Sequence, residues 1–347
     1  MTTSPSLVGD SLVSQYGALI CDLDGVVYRG AHAVPGAVQT LRSTLASDRP
    51  VVFATNNASR EPRVVEGHLA SLGVDHGSWS VVSSAQAAAT YVAGRVGAGT
   101  AVMAVGGPGV AQALRDVDLR PFAAASGRRS APAAAVVQGA GTNVNWRDLA
   151  ETAHQVRSGA MWVATNPDRT IPTRRGLAPG NGALVAAVQC ALDAVPIVVG
   201  KPEPLLYELA MHRLTTAVRD VLVVGDRLDT DIAAAHAAGM DSLLVLSGVH
   251  GIRDVVFCPP EKRPTYVDVD LAGLLATARR RDPYLESLAL DIADLDLARL
   301  PAGHGLTSMV EGLWRALDAG REVSRDPERW NALDTWVRSK HTAPERH

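Results

Sequence analysis

The sequence predicts an α/β fold in which a parallel-sheet core domain carries a second, inserted α/β unit. Short apolar runs suited to buried strands alternate with helical stretches along most of the chain. Several of these runs end directly in polar residues, as at Asp22 and Asp226. Polar groups at the carboxyl ends of parallel strands are typical of a ligand-binding edge. The fold class and the position of a functional site are therefore predicted together.

Composition limits the classes of function. A chain of 347 residues with 47% hydrophobic residues is expected to form two or three globular domains. The formal net charge of −3 argues against nucleic acid as a partner. Cys21, Cys190 and Cys258 are scattered and suit neither a disulfide framework nor a zinc site, which favours a reducing cytoplasm. We expect no signal peptide and no membrane span.

The first strand is predicted at Ala18–Cys21, and it runs into Asp22 and Asp24. Side chains alternate along a strand, so these two carboxylates should leave the sheet on the same side, and Gly25 then allows a turn. Two carboxylates at the end of a buried strand repel each other and lose hydration. A divalent cation such as Mg²⁺ would compensate them, although an aspartate-rich turn remains an alternative.

The second strand is predicted at Val51–Ala54 and ends in Thr55, Asn56 and Asn57. A hydroxyl and amides at a strand end can cradle a phosphate, but they can also cap the helix predicted at Pro62–Leu72. Both interpretations stay open at this point. A strand at Val81-Val82 and a helix at Ala85–Gly94 continue the alternation.

The inserted unit begins near Gly97, where the pattern changes. We predict its strands at Ala101–Val105, Ala134–Val137 and Met161–Ala164, and its helices at Val110–Asp116 and Trp146–Arg157. The GGPG sequence at 106–109 favours a tight turn over a phosphate loop, because Pro108 removes a backbone donor.

The segment 161–182 is polar and rich in proline and glycine, which predicts a long loop. Such a loop is either a binding loop or an ordinary solvated one. Its candidate substrate contacts are Asn166, Asp168 and Asn181, with Arg169, Arg174 and Arg175 as cations.

The core resumes with a strand at Pro196–Val199 that leads to Lys201, followed by a strand at Val221–Val224 that ends at Asp226. Asp231 precedes a helix predicted at Ile232–Ala238, where an acid would also suit the helix dipole. Strands at Ser242–Leu246 and Thr265–Val269 complete the predicted sheet.

Four segments carry a family resemblance: DLDGVVYRG at Asp22, TNNAS at Thr55, GKPEP at Gly200 and GDRLDTD at Gly225. In this order they resemble the four motifs of the haloacid dehalogenase superfamily. The long insertion between the second and third segments resembles a C2-type cap, as in p-nitrophenyl phosphatases and phosphoglycolate phosphatases. The resemblance implies a Rossmann-like core at residues 1–96 and 196–278, a cap at 97–195 and a small appendix at 279–347.

The resemblance also implies residue roles. Asp22 would be the nucleophile that forms an aspartyl-phosphate, and Asp24 the general acid and base. For Asp24 to donate a proton near neutrality, burial and a like-charged neighbour would have to raise its pKa. Mg²⁺ would be held by Asp22, Asp226 and the Asp24 carbonyl. Asp231 would lie in the layer around these ligands, where it would orient water molecules or Lys201 without binding the ion. The remaining roles are phosphate binding by Thr55, Asn56 and Asn57, and charge compensation by Lys201.

The tail contains helical stretches at Thr307–Ala319 and Asp326–Val337, and a further segment at Asp291–Ala298. It resembles the acetyltransferase-like appendix of actinobacterial members of the branch. It lacks a pyrophosphate-binding loop, so we expect it to be non-catalytic and not an acetyltransferase. The resemblance of the tail to the appendix of these actinobacterial proteins implies hydrolysis of glycerol 3-phosphate and a role in glycerophospholipid metabolism.

Other partners remain open. The small phosphorylated metabolite could instead be phosphoglycolate, a nucleotide or a sugar phosphate, and a degenerate binding protein is a further alternative. A second copy of the chain, in a homo-oligomer, is a further candidate partner.

Overall fold

The computed structural model describes residues 11–74, 77–124, 133–173, 175–276, 306–321, 323 and 325–339. Its strands there are β1 (Ala18–Cys21), β2 (Tyr28–Arg29), β3 (His32–Ala33), β4 (Val51–Thr55), β5 (Trp79–Ser83), β6 (Ala101–Val105), β7 (Arg120–Phe122), β8 (Ala135–Gln138), β9 (Met161–Ala164), β10 (Thr170–Thr173), β11 (Gly176–Pro179), β12 (Ile197–Val198), β13 (Val221–Gly225), β14 (Asp241–Val245) and β15 (Tyr266–Asp268). Its α-helices there are α1 (Ala37–Ala46), α2 (Pro62–Leu72), α3 (Ser84–Ala93), α4 (Pro108–Arg115), α5 (Trp146–Arg157), α6 (Asn181–Gln189), α7 (Leu205–Met211), α8 (Ala233–Ala237), α9 (Ile252–Val256), α10 (Leu306–Asp318) and α11 (Pro327–Ser339).

The chain forms two compact units. The first comprises Met1–Val51, Leu72–Trp79 and Leu214–His347, and the second comprises Val52–Ser71 and Ser80–Arg213. The boundary passes through β4 and β5, so that each of these strands begins in the first unit. The domain limits at residues 96, 195 and 278 remain predictions.

In the first unit, four neighbouring strands have the order β15, β14, β13, β1. All their pairings are parallel, and Cys21 of β1 lies opposite Val224 of β13. Every residue of β1 and of β13 is buried, as expected for strands covered on both faces. The parallel α/β architecture predicted from the sequence is confirmed.

The tail helices α10 and α11 belong to this first unit. Trp330 is 1% exposed, and its ring meets Phe257 edge-on with centroids 5.4 Å apart. The indole N–H of Trp314 donates to the Val255 carbonyl at 3.0 Å. Asp326 accepts a hydrogen bond from the Glu328 amide at 3.0 Å, which confirms the predicted helix start. The predicted segment Asp291–Ala298 lies outside the described residues.

Replacing Trp330 with alanine is expected to lower the free energy of unfolding by about 3 to 5 kcal/mol, because a large, fully buried ring leaves a cavity. Trp146, which is 79% exposed, offers the same substitution as a control, with an expected change of about 0.5 kcal/mol or less. Urea unfolding of both variants tests this. Equal losses would show that the tail does not contribute to the core of the first unit.

In the second unit a separate five-stranded sheet has the order β12, β9, β8, β6, β7, again with parallel pairing. Its core includes Met103, Val136 and Trp162, with Val185 and Val188 of α6 packed against them. Gly107 precedes α4 and Pro108 is its first residue, so the GGPG sequence, predicted as a tight turn before a helix at Val110, is instead the start of that helix.

The predicted long loop at 161–182 is only partly irregular. After β9 the chain forms the antiparallel hairpin of β10 and β11, and α6 begins at Asn181. The loop prediction was wrong here because proline and glycine, which usually end strands, are accommodated in this two-stranded ribbon. No helix in the described part of the chain is both long and apolar enough to cross a membrane.

Candidate active site

Three carboxylates gather at the strand ends of the first unit. The Asp22 amide donates to the Val224 carbonyl at 2.8 Å, which extends the β1–β13 pairing by one residue. Asp226 directly follows β13. Oxygens of Asp22, Asp226 and Asp231 all lie within 4.8 Å of one another, and the side chains are 9%, 1% and 1% exposed. The sequence predicted that the first two would meet in this way.

Glycines make room for these carboxylates. Gly25 has φ +89°, and a Cβ at this position would lie 2.5 Å from Oδ2 of Asp226. A Cβ on Gly225 would lie 2.2 Å from the Cβ of Asp231. Any larger residue at either place would therefore push a carboxylate out of the cluster.

Asp231 lies in a single π-helical turn, Leu228–Ile232, that precedes α8. The sequence predicted a regular helix from Ile232; the structure instead inserts this turn and starts the α-helix at Ala233. The Asp231 carboxylate accepts a hydrogen bond from the Arg227 amide at 3.2 Å. Its carboxylate lies in the same cluster as those of Asp22 and Asp226, close enough to be a metal ligand itself. That Asp231 only orients the groups around the ion therefore remains a prediction.

Asp24 differs from its neighbour. Its side chain is exposed, so the burial expected to raise its pKa is absent. The cause is local: β1 ends at Cys21, and the chain turns at Gly25, whose amide donates to the Tyr28 carbonyl at 2.8 Å. The period-two alternation that placed Asp22 and Asp24 alike holds only while the backbone remains a strand.

The chemistry of the cluster suits a hard divalent cation. Negative charges on three carboxylates in a buried space would repel each other, and Mg²⁺ and Ca²⁺ are bound in proteins chiefly by oxygen ligands. The donor set therefore fits the predicted Mg²⁺, with Asp22 and Asp226 supplying carboxylate oxygens.

In the second unit, Thr55, Asn56 and Asn57 form a hydrogen-bonded turn. The Thr55 hydroxyl accepts from the Asn57 amide at 3.0 Å, and Oδ1 of Asn57 accepts from the Ser59 amide at 3.0 Å. The helix α2 starts only at Pro62, so these residues do not cap it directly. Of the two interpretations, the capping one is therefore wrong, and phosphate binding remains a prediction.

Lys201, in the same unit, is hydrogen-bonded to this turn. It is 2% exposed, and its ammonium group donates to the Ala54 carbonyl at 3.0 Å. The Asn56 side chain accepts from the Lys201 amide at 2.9 Å and donates to the Lys201 carbonyl at 3.0 Å. The second and third motifs are thus joined by one asparagine side chain.

The predicted substrate contacts Asn166 and Asn181 are buried, at 5% and 1% exposure. Asn166 donates to the Asn56 carbonyl at 2.7 Å, and Asn181 donates to the Asn166 carbonyl at 2.9 Å. The side-chain amides of both asparagines therefore hold segments of the backbone in place. Asp168 is half-buried, and its carboxylate accepts from the Asn56 side chain at 3.3 Å. Arg169 and Arg175 are exposed, and Arg174 lies outside the described residues.

The sequence analysis did not predict one segment that contacts the carboxylate cluster. This segment is residues 247–250, which follow β14 and contact Asp226 through backbone amides. The only sequence signal was a serine and a glycine after a buried strand, which is common in ordinary turns.

Comparison with known proteins agrees with this geometry. The family described as haloacid dehalogenase-like hydrolase matches residues 19–120, and a related hydrolase-like family matches residues 198–274. A D-glycerol 3-phosphate phosphatase from Mycobacterium tuberculosis is 46% identical over 264 residues, which covers 76% of this chain and 72% of that protein. An acid sugar phosphatase from Staphylococcus aureus is 34% identical, covering 76% of this chain and 98% of that protein.

Solved structures extend the likeness. A glycerol phosphate phosphatase from Mycobacterium tuberculosis in complex with magnesium superimposes with a TM-score of 0.74 at 37% identity, covering 94% of this chain and 98% of that chain. A p-nitrophenyl phosphatase from Archaeoglobus fulgidus gives a TM-score of 0.68 at 27% identity, covering 75% and 98%. The four motifs, the carboxylate cluster and these relatives together confirm the phosphatase prediction, and the chain belongs to the haloacid dehalogenase-like hydrolases.

Proposed function

We propose that the chain is a Mg²⁺-dependent phosphomonoesterase that hydrolyses glycerol 3-phosphate to glycerol and inorganic phosphate. The observation that carries the metal and the chemistry is the buried cluster of Asp22, Asp226 and Asp231. The substrate rests on the relative that is 46% identical and named for glycerol 3-phosphate. When bound, Mg²⁺ supplies positive charge that lets a phosphate dianion approach these carboxylates.

In the proposed reaction, a carboxylate oxygen of Asp22 attacks the phosphorus atom and forms an aspartyl-phosphate. The bond from phosphorus to the glycerol oxygen breaks, and Asp24 gives that oxygen a proton. Asp24 then accepts a proton from water, which attacks the phosphorus of the intermediate, releases phosphate and restores Asp22. Asp24 is exposed, so both alcohol and water can reach it; because burial does not raise its pKa, the like charge of a neighbouring carboxylate would have to do so.

Phosphate binding is a further part of the proposal. We assign this role to Thr55 and the Asn56 amide, with Lys201 offsetting negative charge. The support is the rigidity of the turn: Lys201 and Asn56 exchange two hydrogen bonds, which fixes both residues before any ligand binds. Asn57 is the weaker candidate for a side-chain role, because its carboxamide oxygen already accepts from the Ser59 amide and hydroxyl.

A sugar phosphate is the second candidate substrate, because a relative that is 34% identical is named acid sugar phosphatase. The two candidates share the phosphate ester and differ in the polyol. The cytoplasmic location, the role in glycerophospholipid metabolism and the homo-oligomer stay predictions from the sequence.

The substrate is tested by comparing kcat/KM for glycerol 3-phosphate, phosphoglycolate, a hexose phosphate and a nucleoside monophosphate on one preparation. We expect glycerol 3-phosphate to exceed each of the others by at least about tenfold, roughly 1.4 kcal/mol of transition-state preference. The Asp22→Asn variant, purified identically, serves as the blank for contaminating phosphatases. A tenfold preference for the sugar phosphate or for phosphoglycolate would overturn the assignment.

A further inference from the structure

The residues 247–250, which we call the post-β14 loop, make two backbone contacts to one carboxylate residue. The Val249 amide donates to Oδ2 of Asp226 at 2.7 Å. The His250 amide donates to the Asp226 carbonyl at 3.3 Å. Consecutive residues of one loop therefore hold both the side chain and the backbone of Asp226.

The imidazole of His250 adds a third contact. Its Nδ1 accepts a hydrogen bond from the Leu228 amide at 3.1 Å. Leu228 is the first residue of the π-helical turn that carries Asp231. Amides at the start of a helical turn have no partner within the turn, and the His250 imidazole supplies one for Leu228.

Gly248 brings the post-β14 loop close enough for these contacts. A Cβ on Gly248 would lie 1.8 Å from Oδ2 of Asp226, closer than any real contact. The Ser247 hydroxyl also donates to the Gly25 carbonyl at 2.7 Å, and Arg29 donates to the Ser247 carbonyl. The loop thus touches the segment that follows Asp24 as well as the segment that holds Asp226.

We propose that the post-β14 loop is a positioning element for the metal site, with His250 as its positioning residue. His250 fixes Leu228, and hence the turn that carries Asp231, while the amides of Val249 and His250 fix Asp226. The inference rests on the proposed function, since it assumes that Asp226 binds Mg²⁺. Groups that orient metal ligands typically change metal affinity ten- to a hundredfold when removed.

The test measures the dissociation constant of Mg²⁺ by calorimetry on the metal-free protein. His250→Leu removes the acceptor, and we expect the dissociation constant to rise by about tenfold or more. His250→Asn keeps an acceptor oxygen bonded to Cγ, where Nδ1 stands in histidine, and should stay within about threefold of the parent. A merely packing role would lower thermal stability without moving this constant and would not be rescued by asparagine.

His236 offers a matched control in the same unit. It is exposed at α8, and its ring contacts the carbonyl of Glu261 and none of the carboxylate cluster. His236→Leu should leave Mg²⁺ affinity within about twofold. If His250→Leu behaves like this control, the inference is wrong.

Gly248→Ala provides a second variant that adds only a methyl group. The new Cβ must displace the Asp226 carboxylate, so Mg²⁺ affinity should again fall by about tenfold. Asp226→Asn separates the two hypotheses. If it leaves Mg²⁺ affinity unchanged, the proposed metal site fails; if it abolishes binding while both loop variants bind normally, only the positioning inference fails.

Discussion

The Asp22→Asn variant is expected to lose at least about a thousandfold in kcat, equivalent to roughly 4 kcal/mol of transition-state stabilisation. Asparagine has nearly the shape of aspartate, but its carboxamide is a far poorer nucleophile toward phosphorus. Since the backbone amide of residue 22 still donates to the Val224 carbonyl, the end of β1 should keep its position. Stopped assays with glycerol 3-phosphate would measure the loss.

The Asp22→Asn substitution should not lower the stability of the metal-free protein, although it abolishes activity. Removing one of three clustered charges relieves repulsion, so the metal-free Asp22→Asn protein should unfold at the same urea concentration as the parent or a higher one.

Asp193, exposed between α6 and β12, offers the same substitution as a control for the loss of activity. Asp193→Asn should keep activity within about twofold of the parent. A folded Asp22→Asn variant that retains turnover would exclude Asp22 as nucleophile.

Removal of the metal is expected to have a similarly large effect. Exhaustive chelation should reduce turnover by at least about a thousandfold, because the uncompensated carboxylates of Asp22, Asp226 and Asp231 would then repel the substrate phosphate. Adding Mg²⁺ should restore the rate. The Asp226→Asn variant should need a much higher Mg²⁺ concentration for half-maximal activity. Full activity in the chelated parent would refute the metal-dependent mechanism.

Calcium distinguishes a general charge effect from a geometric one. Ca²⁺ accepts more ligands than Mg²⁺ and can take both carboxylate oxygens of one residue. If it engages both oxygens of Asp22, neither is free to attack phosphorus, so Ca²⁺ should inhibit competitively with Mg²⁺. Equal turnover with the two ions would show that the metal supplies charge alone.

The sequence predicted the strand ends of the first unit well because the physical signal there is strong. Four consecutive apolar residues before a carboxylate leave few alternatives to a buried strand, and β1 has the bounds that the pattern predicts. The gathering of Asp22 with Asp226 then follows from parallel pairing, which aligns the carboxyl ends of neighbouring strands.

Side-chain direction outside regular structure was not predictable in the same way. Asp24 is exposed because the chain turns at Gly25 soon after the predicted end of β1, so the side-chain alternation of the strand does not extend to residue 24. Asn166 and Asn181 were predicted as substrate contacts; their amides are buried and donate to backbone carbonyls, and contact with a substrate stays a prediction. An asparagine in a polar loop suits either role, and only the surrounding backbone decides between them.

The contact between α10 and β15 has a consequence for shortened forms of this protein. Among the described strands, β15 lies at the edge of its sheet, and the Thr307 hydroxyl accepts from the Val267 amide at 2.8 Å and donates to the Val267 carbonyl at 2.9 Å. Edge strands with unsatisfied backbone groups recruit other chains and aggregate. Cutting the chain before Leu306 would bare this edge together with the apolar surface under Trp330, so the product should self-associate rather than yield a smaller working enzyme.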